Sequence, residues 1–112
     1  MPMGEVEASI TAGEGTAVDV QVKFMGELPA LLGTRGHHAS LPPGATVGDL
    51  LALLSRHYGD DFARRAFSGP ATLRHTMLVF VDGENIKGRG GLAASVGEGA
   101  VEVIMLPMFG GG

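Results

Sequence analysis

The 112-residue sequence predicts an α+β domain in which a mixed sheet packs on one main helix. Three stretches carry that expectation. Val18-Asp19-Val20-Gln21-Val22-Lys23-Phe24 alternates apolar and polar residues, as a strand with one buried face requires. Thr46 stands ahead of Val47, Leu50, Leu51 and Leu54, a capping residue followed by apolar positions at helical spacing. Val101 to Leu106 forms a closing apolar strand before Pro107.

Size and composition agree with one small domain. A chain of 11.5 kDa supports one modest core. Hydrophobic residues make up 45% and charged residues 18%, with five Phe, one Tyr and no Trp, so the core is aliphatic and disorder throughout is excluded. Nineteen Gly and six Pro rule out a helical bundle and call for short elements joined by turns. The glycines have no period of three, which excludes collagen.

Along the chain, residues 1–16 mix small, acidic and Gly residues without a sustained apolar period and read as a flexible N-terminal extension, with the folded domain over 17–112. After the first strand, Gly36 to Leu41 reads as a weaker second one, ended by Pro42-Pro43-Gly44. Thr46 with Asp49 makes a variant of the capping box, and the helix runs to about Tyr58 with Gly59 as its stop. In residues 60–75, Phe62, Ala66 and Phe67 suit a second short helix that Gly69-Pro70 breaks. Met77 to Val81 is an uninterrupted apolar run, predicting a central strand buried on both faces, reversed at Asp82-Gly83. Gly88-Arg89-Gly90-Gly91 reads as a loop, and Pro107 as the end of pairing for the last strand, which lies beside the first.

Several chemistries are excluded or disfavoured by residue type. With no Cys there are no disulfides, thiolate metal sites or cysteine nucleophiles. No apolar stretch nears the ~20 residues that span a bilayer. Glu5, Glu7 and Glu14 stand where a signal peptide is basic, so a cytoplasmic protein with no membrane partner is expected. The net charge is −4, and residues 1–16 hold three acids and no base, which leaves nine acids against eight bases in the body. Those bases are scattered, with only Arg64 and Arg65 adjacent, so no nucleic-acid partner is expected. His37 and His38 are strand neighbours pointing to opposite faces and cannot chelate one ion together. His57 and His75 lack ligands at metal spacing, so no metal site is expected, and Asp60-Asp61 reads as a solvated helix exit. Gly88 to Gly91 matches no phosphate-loop pattern.

The C-terminus is where function is expected. Gly110, Gly111 and Gly112 add nothing to a core and have no Cβ, so they can thread a channel too narrow for side chains and deliver the Gly112 carboxylate to another protein's active site. Pro107 sets where the mobile tail begins, at about residue 108. Met108 and Phe109 are apolar too close to a mobile end to be core, and are expected to face a partner. Val101, Val103 and Met105 should face one way and Ile104 and Leu106 the other, leaving one set partly exposed.

Residues 17–112 resemble the ubiquitin-like β-grasp sulfur carriers, the molybdopterin synthase small subunit and the thiamine sulfur carrier. The likeness rests on the element order β-β-α-β-β, on Val81-Asp82-Gly83, and on Glu102-Val103 followed by Pro107, Met108 in place of a second proline, Phe109, Gly110 and the pair Gly111-Gly112. The resemblance implies that an E1-like enzyme uses Mg and ATP to adenylate the Gly112 carboxylate, and that sulfur then displaces AMP to leave a thiocarboxylate. It implies too that the carrier itself binds no cofactor and is not catalytic alone. Implied partners are that adenylating enzyme and the molybdopterin synthase large subunit or another sulfur acceptor, in a thiamine, cysteine or tRNA-thiolation pathway. A ubiquitin-like modifier forming isopeptide bonds through the same carboxylate, and an interaction module with an inert tail, share these features.

Overall fold

The first strand, β1 (Val18–Phe24), buries Val18, Val20, Val22 and Phe24 and turns Asp19, Gln21 and Lys23 to solvent, as its alternation requires. The computed structural model describes residues 17–69 and 72–108. The expected N-terminal extension, residues 1–16, and the tail residues Phe109, Gly110, Gly111 and Gly112 lie outside the described residues.

A five-residue helix, α1 (Leu28–Leu32), follows β1, started by Pro29 in its first turn and closed by Gly33 at φ 78°. It leads into β2 (Gly36–Leu41), which pairs antiparallel with β1 from Val18↔Leu41 to Lys23↔Gly36. The main helix, α2 (Val47–Tyr58), opens with the expected capping box. The Asp49 N–H donates to the Thr46 hydroxyl at 3.1 Å, and the Thr46 N–H donates to the Asp49 carboxylate at 2.9 Å. Val47, Leu50, Leu51 and Leu54 are fully buried against the sheet. Each such Leu contributes about 1.5–3 kcal/mol relative to an exposed one.

Gly59, at φ 84°, breaks the helix, and α3 (Asp60–Ala66) begins at once. Asp60 and Asp61 therefore occupy the first turn of α3, where carboxylates suit the helix dipole, rather than a helix exit. The short helix ends before Phe67, not with it. Phe67 starts β3 (Phe67–Gly69), which pairs with β4 (Thr72–Leu73). Phe62 and Ala66 reach the core, and Phe67 packs on its margin.

Next come β5 (Met77–Val81), the Asp82-Gly83 reversal and β6 (Glu84–Asn85). Asp82 and Gly83 both have positive φ, 48° and 87°, as a two-residue hairpin turn needs. Met77, Val79 and Val81 are buried while Leu78 and Phe80 are half-buried, so β5 is not covered on both faces. Two 3-10 turns, Ile86–Gly88 and Gly91–Ala93, flank the Gly-rich stretch that the sequence presented as loop. The last strand, β7 (Ala100–Pro107), is central in the five-stranded order β2-β1-β7-β5-β6. It runs parallel to β1 and antiparallel to β5.

Pairing does not stop at Pro107. Met77 pairs with Pro107, and the Met108 N–H donates to the Thr76 carbonyl at 2.6 Å. The physical reason is the alternation of backbone groups. The Met105 carbonyl faces β1, accepting from Met25 N–H at 2.9 Å, so the nitrogen of Pro107 also points to the β1 side, beyond the end of β1. No ladder donor is lost there.

Candidate functional site

One end of the sheet, where β7 leaves it, and the outer face of β7 and β5 form the candidate site. At that end β7 is gripped from both sides, by Met25 N–H on the Met105 carbonyl and by the Thr76 carbonyl on Met108 N–H. Gly26 lies against the exit, and its φ of 63°, in the left-handed region that favours glycine, shapes the turn after β1 where it meets the Pro107 ring.

Alternation puts Val101, Val103 and Met105 in the core and Glu102, Ile104 and Leu106 on the outer face. Cross-strand pairs Phe80↔Ile104 and Leu78↔Leu106 make a half-buried apolar strip there. Met25 and Met108, 45% and 52% exposed, are the large hydrophobic residues left open among the described residues, and they extend the strip to the exit. The Lys23 ammonium meets the Glu102 carboxylate at 2.7 Å and borders the strip.

Beside the exit a cavity of about 420 Å³ is lined by Glu27, Arg64, Arg65, Arg74, Thr76 and Met108 among others. The fold thus gathers three of the bases that look scattered in the sequence. Arg64 and Arg65 come from α3, and the β3–β4 pair returns the chain so that Arg74 N–H reaches the Ala66 carbonyl at 2.7 Å. Arg65 pairs with Glu27, Arg64 with Asp61 at 2.5 Å, and Arg74 Nε donates to the Arg64 carbonyl at 2.6 Å. Each arginine is exposed, so these pairs add little stability, and three arginines against Asp61 and Glu27 leave a modestly basic rim beside Met108.

Of the residues expected to act, Pro107 and Met108 lie at this exit, while Phe109, Gly110, Gly111 and Gly112 continue beyond the described residues. His37 and His38 do diverge. His38 contacts Asp19, and His37 Nδ1 lies 2.9 Å from the Tyr58 hydroxyl. The His37 and His57 rings are 4.8 Å apart, a contact between β2 and α2 that the sequence did not suggest. Burial first, then the neighbouring His57 and His38 imidazoles, holds His37 below its ordinary value of 6.5. Burial also raises Tyr58. Among the described residues no three His, Cys, Asp or Glu converge as metal ligands, and no helix is long and apolar enough to cross a membrane.

A mixed sheet packed on one capped helix, with its central strand running on toward consecutive glycines, defines a ubiquitin-like β-grasp protein. The chain belongs to the ThiS family, whose model matches residues 22–112, and so to the ubiquitin-like sulfur carriers and modifiers. The structure is similar to small archaeal modifier protein 1 from Methanosarcina acetivorans, with a TM-score of 0.72, 25% identity, and 88% of this chain and 100% of that one covered. CysO in the Amycolatopsis orientalis BexX/CysO complex gives 0.66 and 26%, over 83% of this chain and 99% of that one. A putative molybdopterin converting factor subunit 1 from Pyrococcus furiosus shares the fold, with a TM-score of 0.64, 20% identity, and 82% and 99% covered. No curated protein sequence matches the chain.

Proposed function

We propose that this protein carries sulfur on Gly112. The observation that carries the reading is the exit of β7. The central strand is held up to Met108, and the next residues in sequence are Phe109 and three glycines without side chains to obstruct a narrow channel. Membership of the ThiS family supports it.

In this reading an E1-like enzyme supplies Mg-ATP. The Gly112 carboxylate attacks the α-phosphorus, pyrophosphate leaves, and the acyl-adenylate forms. Hydrosulfide then attacks the acyl carbon, the C–S bond forms as the C–O bond to AMP breaks, and loss of the thioacid proton leaves a thiocarboxylate. A free carboxylate is a poor electrophile, which is why the adenylate is needed. The apolar strip, Met25 and Met108 dock the partner, and Gly110 and Gly111 let the tail enter its channel. CysO of Amycolatopsis orientalis, solved in complex with BexX, is a relative held by a partner protein.

We assign the carrier to molybdopterin synthesis, with the synthase large subunit as acceptor. Acceptors of the thiamine, cysteine or tRNA-thiolation type use the same group, and an acceptor assay separates them. Deleting Gly112 should abolish sulfur transfer without shifting the melting temperature. Full transfer by the deleted chain overturns the proposal.

A second reading, a protein modifier, is favoured by the likeness to small archaeal modifier protein 1. The same carboxylate would then form an isopeptide bond with a lysine. Conjugates of high mass that vanish when Gly112 is deleted mark this outcome.

A further inference from the structure

The side of α2 turned away from the sheet carries a groove of about 630 Å³. Phe67 of β3 and Leu92 of the second 3-10 turn wall it, and both are half-buried. Ala52, Ser55 and Ala63 line it between them. The Ser55 hydroxyl is buried with no hydrogen-bond partner among the described residues. Its two ends differ in charge. At the Thr46 end the Asp49 carboxylate is engaged by the Thr46 N–H at 2.9 Å. At the other end Arg56 has neither hydrogen bond nor ion pair among the described residues. An apolar trough with one unmatched cation suits an apolar segment that brings a carboxylate.

We propose that residues 5–10 of this same chain occupy the groove, with Val6, Ala8 and Ile10 toward its floor and Glu5 or Glu7 on Arg56. Three observations select that occupant. The first is where the segment departs. Val18 pairs with Leu41, and the turn closed by Ala45 N–H on the Pro42 carbonyl at 3.1 Å delivers the chain directly to Thr46, at the groove's mouth. Residues 1–16 therefore join the domain one turn away from the site.

The second is reach. From Ala17 back to Ile10 an extended chain spans up to about 23–25 Å. The groove follows α2 from Thr46 to Arg56, roughly 15 Å of helix. That span is enough to bring Ile10 to the mouth, and an extended chain entering there carries Glu7 and Glu5 farther along, toward Arg56. The order of residues in the chain matches the order of chemistry in the groove.

The third is composition. Glu5-Val6-Glu7-Ala8-Ser9-Ile10 sets small and branched apolar residues at every second position, with Glu5, Glu7 and Ser9 at the alternate ones. Extended, it presents one apolar edge and one acidic edge. Residues 1–16 contain no Lys, Arg or His, so no side chain in them repels Arg56. A second copy's segment offers the same groups, but it must be recruited from solution, whereas the tethered one is present at high effective concentration. Occupied in this way, the groove covers the helix side of the domain and leaves the outer sheet face and the tail free.

The absence of Cys allows a single-label test on the full chain. Ser9→Cys is tagged with a nitroxide, and the broadening of side-chain and amide signals is recorded by NMR. Ala52, Ala63 and Leu92 should lose more than half their intensity, while Ile104 and Met108 on the opposite face keep theirs. Val6→Asp with Ile10→Asp should restore the signals. Arg56→Glu should weaken the effect at least threefold, and Glu5→Lys with Glu7→Lys in that background should recover it. Uniform or absent broadening overturns the proposal. So does broadening that persists when nitroxide-tagged chains are mixed with separately isotope-labelled untagged chains, because the occupant is then a second copy.

Discussion

The backbone N–H of Met108 donates to the Thr76 carbonyl at 2.6 Å, and this bond holds β7 at the point where the tail begins. Since Pro107 points its nitrogen past the end of β1, Met108 rather than Pro107 marks the limit of the ladder. Met108→Pro removes the donor and should cost about 1 kcal/mol. In a domain of this size that corresponds to a melting temperature about 4–8 °C lower. Met108→Ala keeps the N–H and should stay within about 0.5 kcal/mol of the parent. Thermal denaturation of the two variants checks this, and equal losses in both contradict it.

The outer strip makes a separate prediction about partners. Ile104 sits between Lys23 and Phe80 in register and is only half-buried, and Met25 is exposed. Ile104→Asp or Met25→Asp should weaken binding to the activating enzyme at least tenfold, which is about 1.4 kcal/mol. Far-ultraviolet circular dichroism should remain unchanged. Titration calorimetry reads the affinity, and parental affinity in both variants removes the strip from the interface.

The capping box predicts a stability effect with no functional one. Thr46→Ala leaves the Asp49 N–H without its acceptor and should cost about 1 kcal/mol, whereas Thr46→Ser retains an oxygen there and recovers most of the loss. Urea denaturation of the pair measures it through the midpoint at constant slope.

His37 predicts how stability depends on pH. Its folded pKa lies below 6.5, for burial and for the His57 and His38 imidazoles that share its surroundings, while Tyr58, raised by burial, stays protonated with its hydroxyl 2.9 Å from Nδ1. Below about pH 6.5 the unfolded chain takes up a proton that the folded chain still refuses, so acidification destabilises the fold until the lowered pKa is passed. The contribution is fully present above 6.5 and lost on the way down. The midpoint of thermal unfolding should therefore fall between about pH 7 and pH 5. His37→Phe keeps a ring against Tyr58 and should flatten that slope. An NMR titration placing His37 at or above 6.5 contradicts the argument.

Much of this architecture is legible in the residues. The alternation in Val18 to Phe24, the Thr46 cap with its four buried apolar residues, and the Asp82-Gly83 reversal each reflect a local rule that the fold leaves intact. The region after Gly59 is less legible, because α3 and the β3–β4 pair are too short for a period to show. The half-cover of β5 is hidden for another reason. Leu78 and Phe80 are as apolar as their buried neighbours, and what exposes them is the lack of any element on the outer face among the described residues. The arginine rim and the His37–His57 contact depend on chain returns from residues far apart in sequence, which no spacing rule reports. The Gly-Gly-Gly tail is read from sequence alone, since it lies outside the described residues.

The central claim is that sulfur is loaded on Gly112, and the absence of Cys makes it directly measurable. The protein is incubated with an adenylating enzyme, Mg-ATP and sulfide, treated with a thiol alkylator, and weighed intact. A single alkylation that depends on ATP and maps to Gly112 is the expected result, because no other group in the chain is a sulfur nucleophile of that reactivity. An unalkylated chain, under conditions where an established carrier is fully modified by the same enzyme, contradicts the claim.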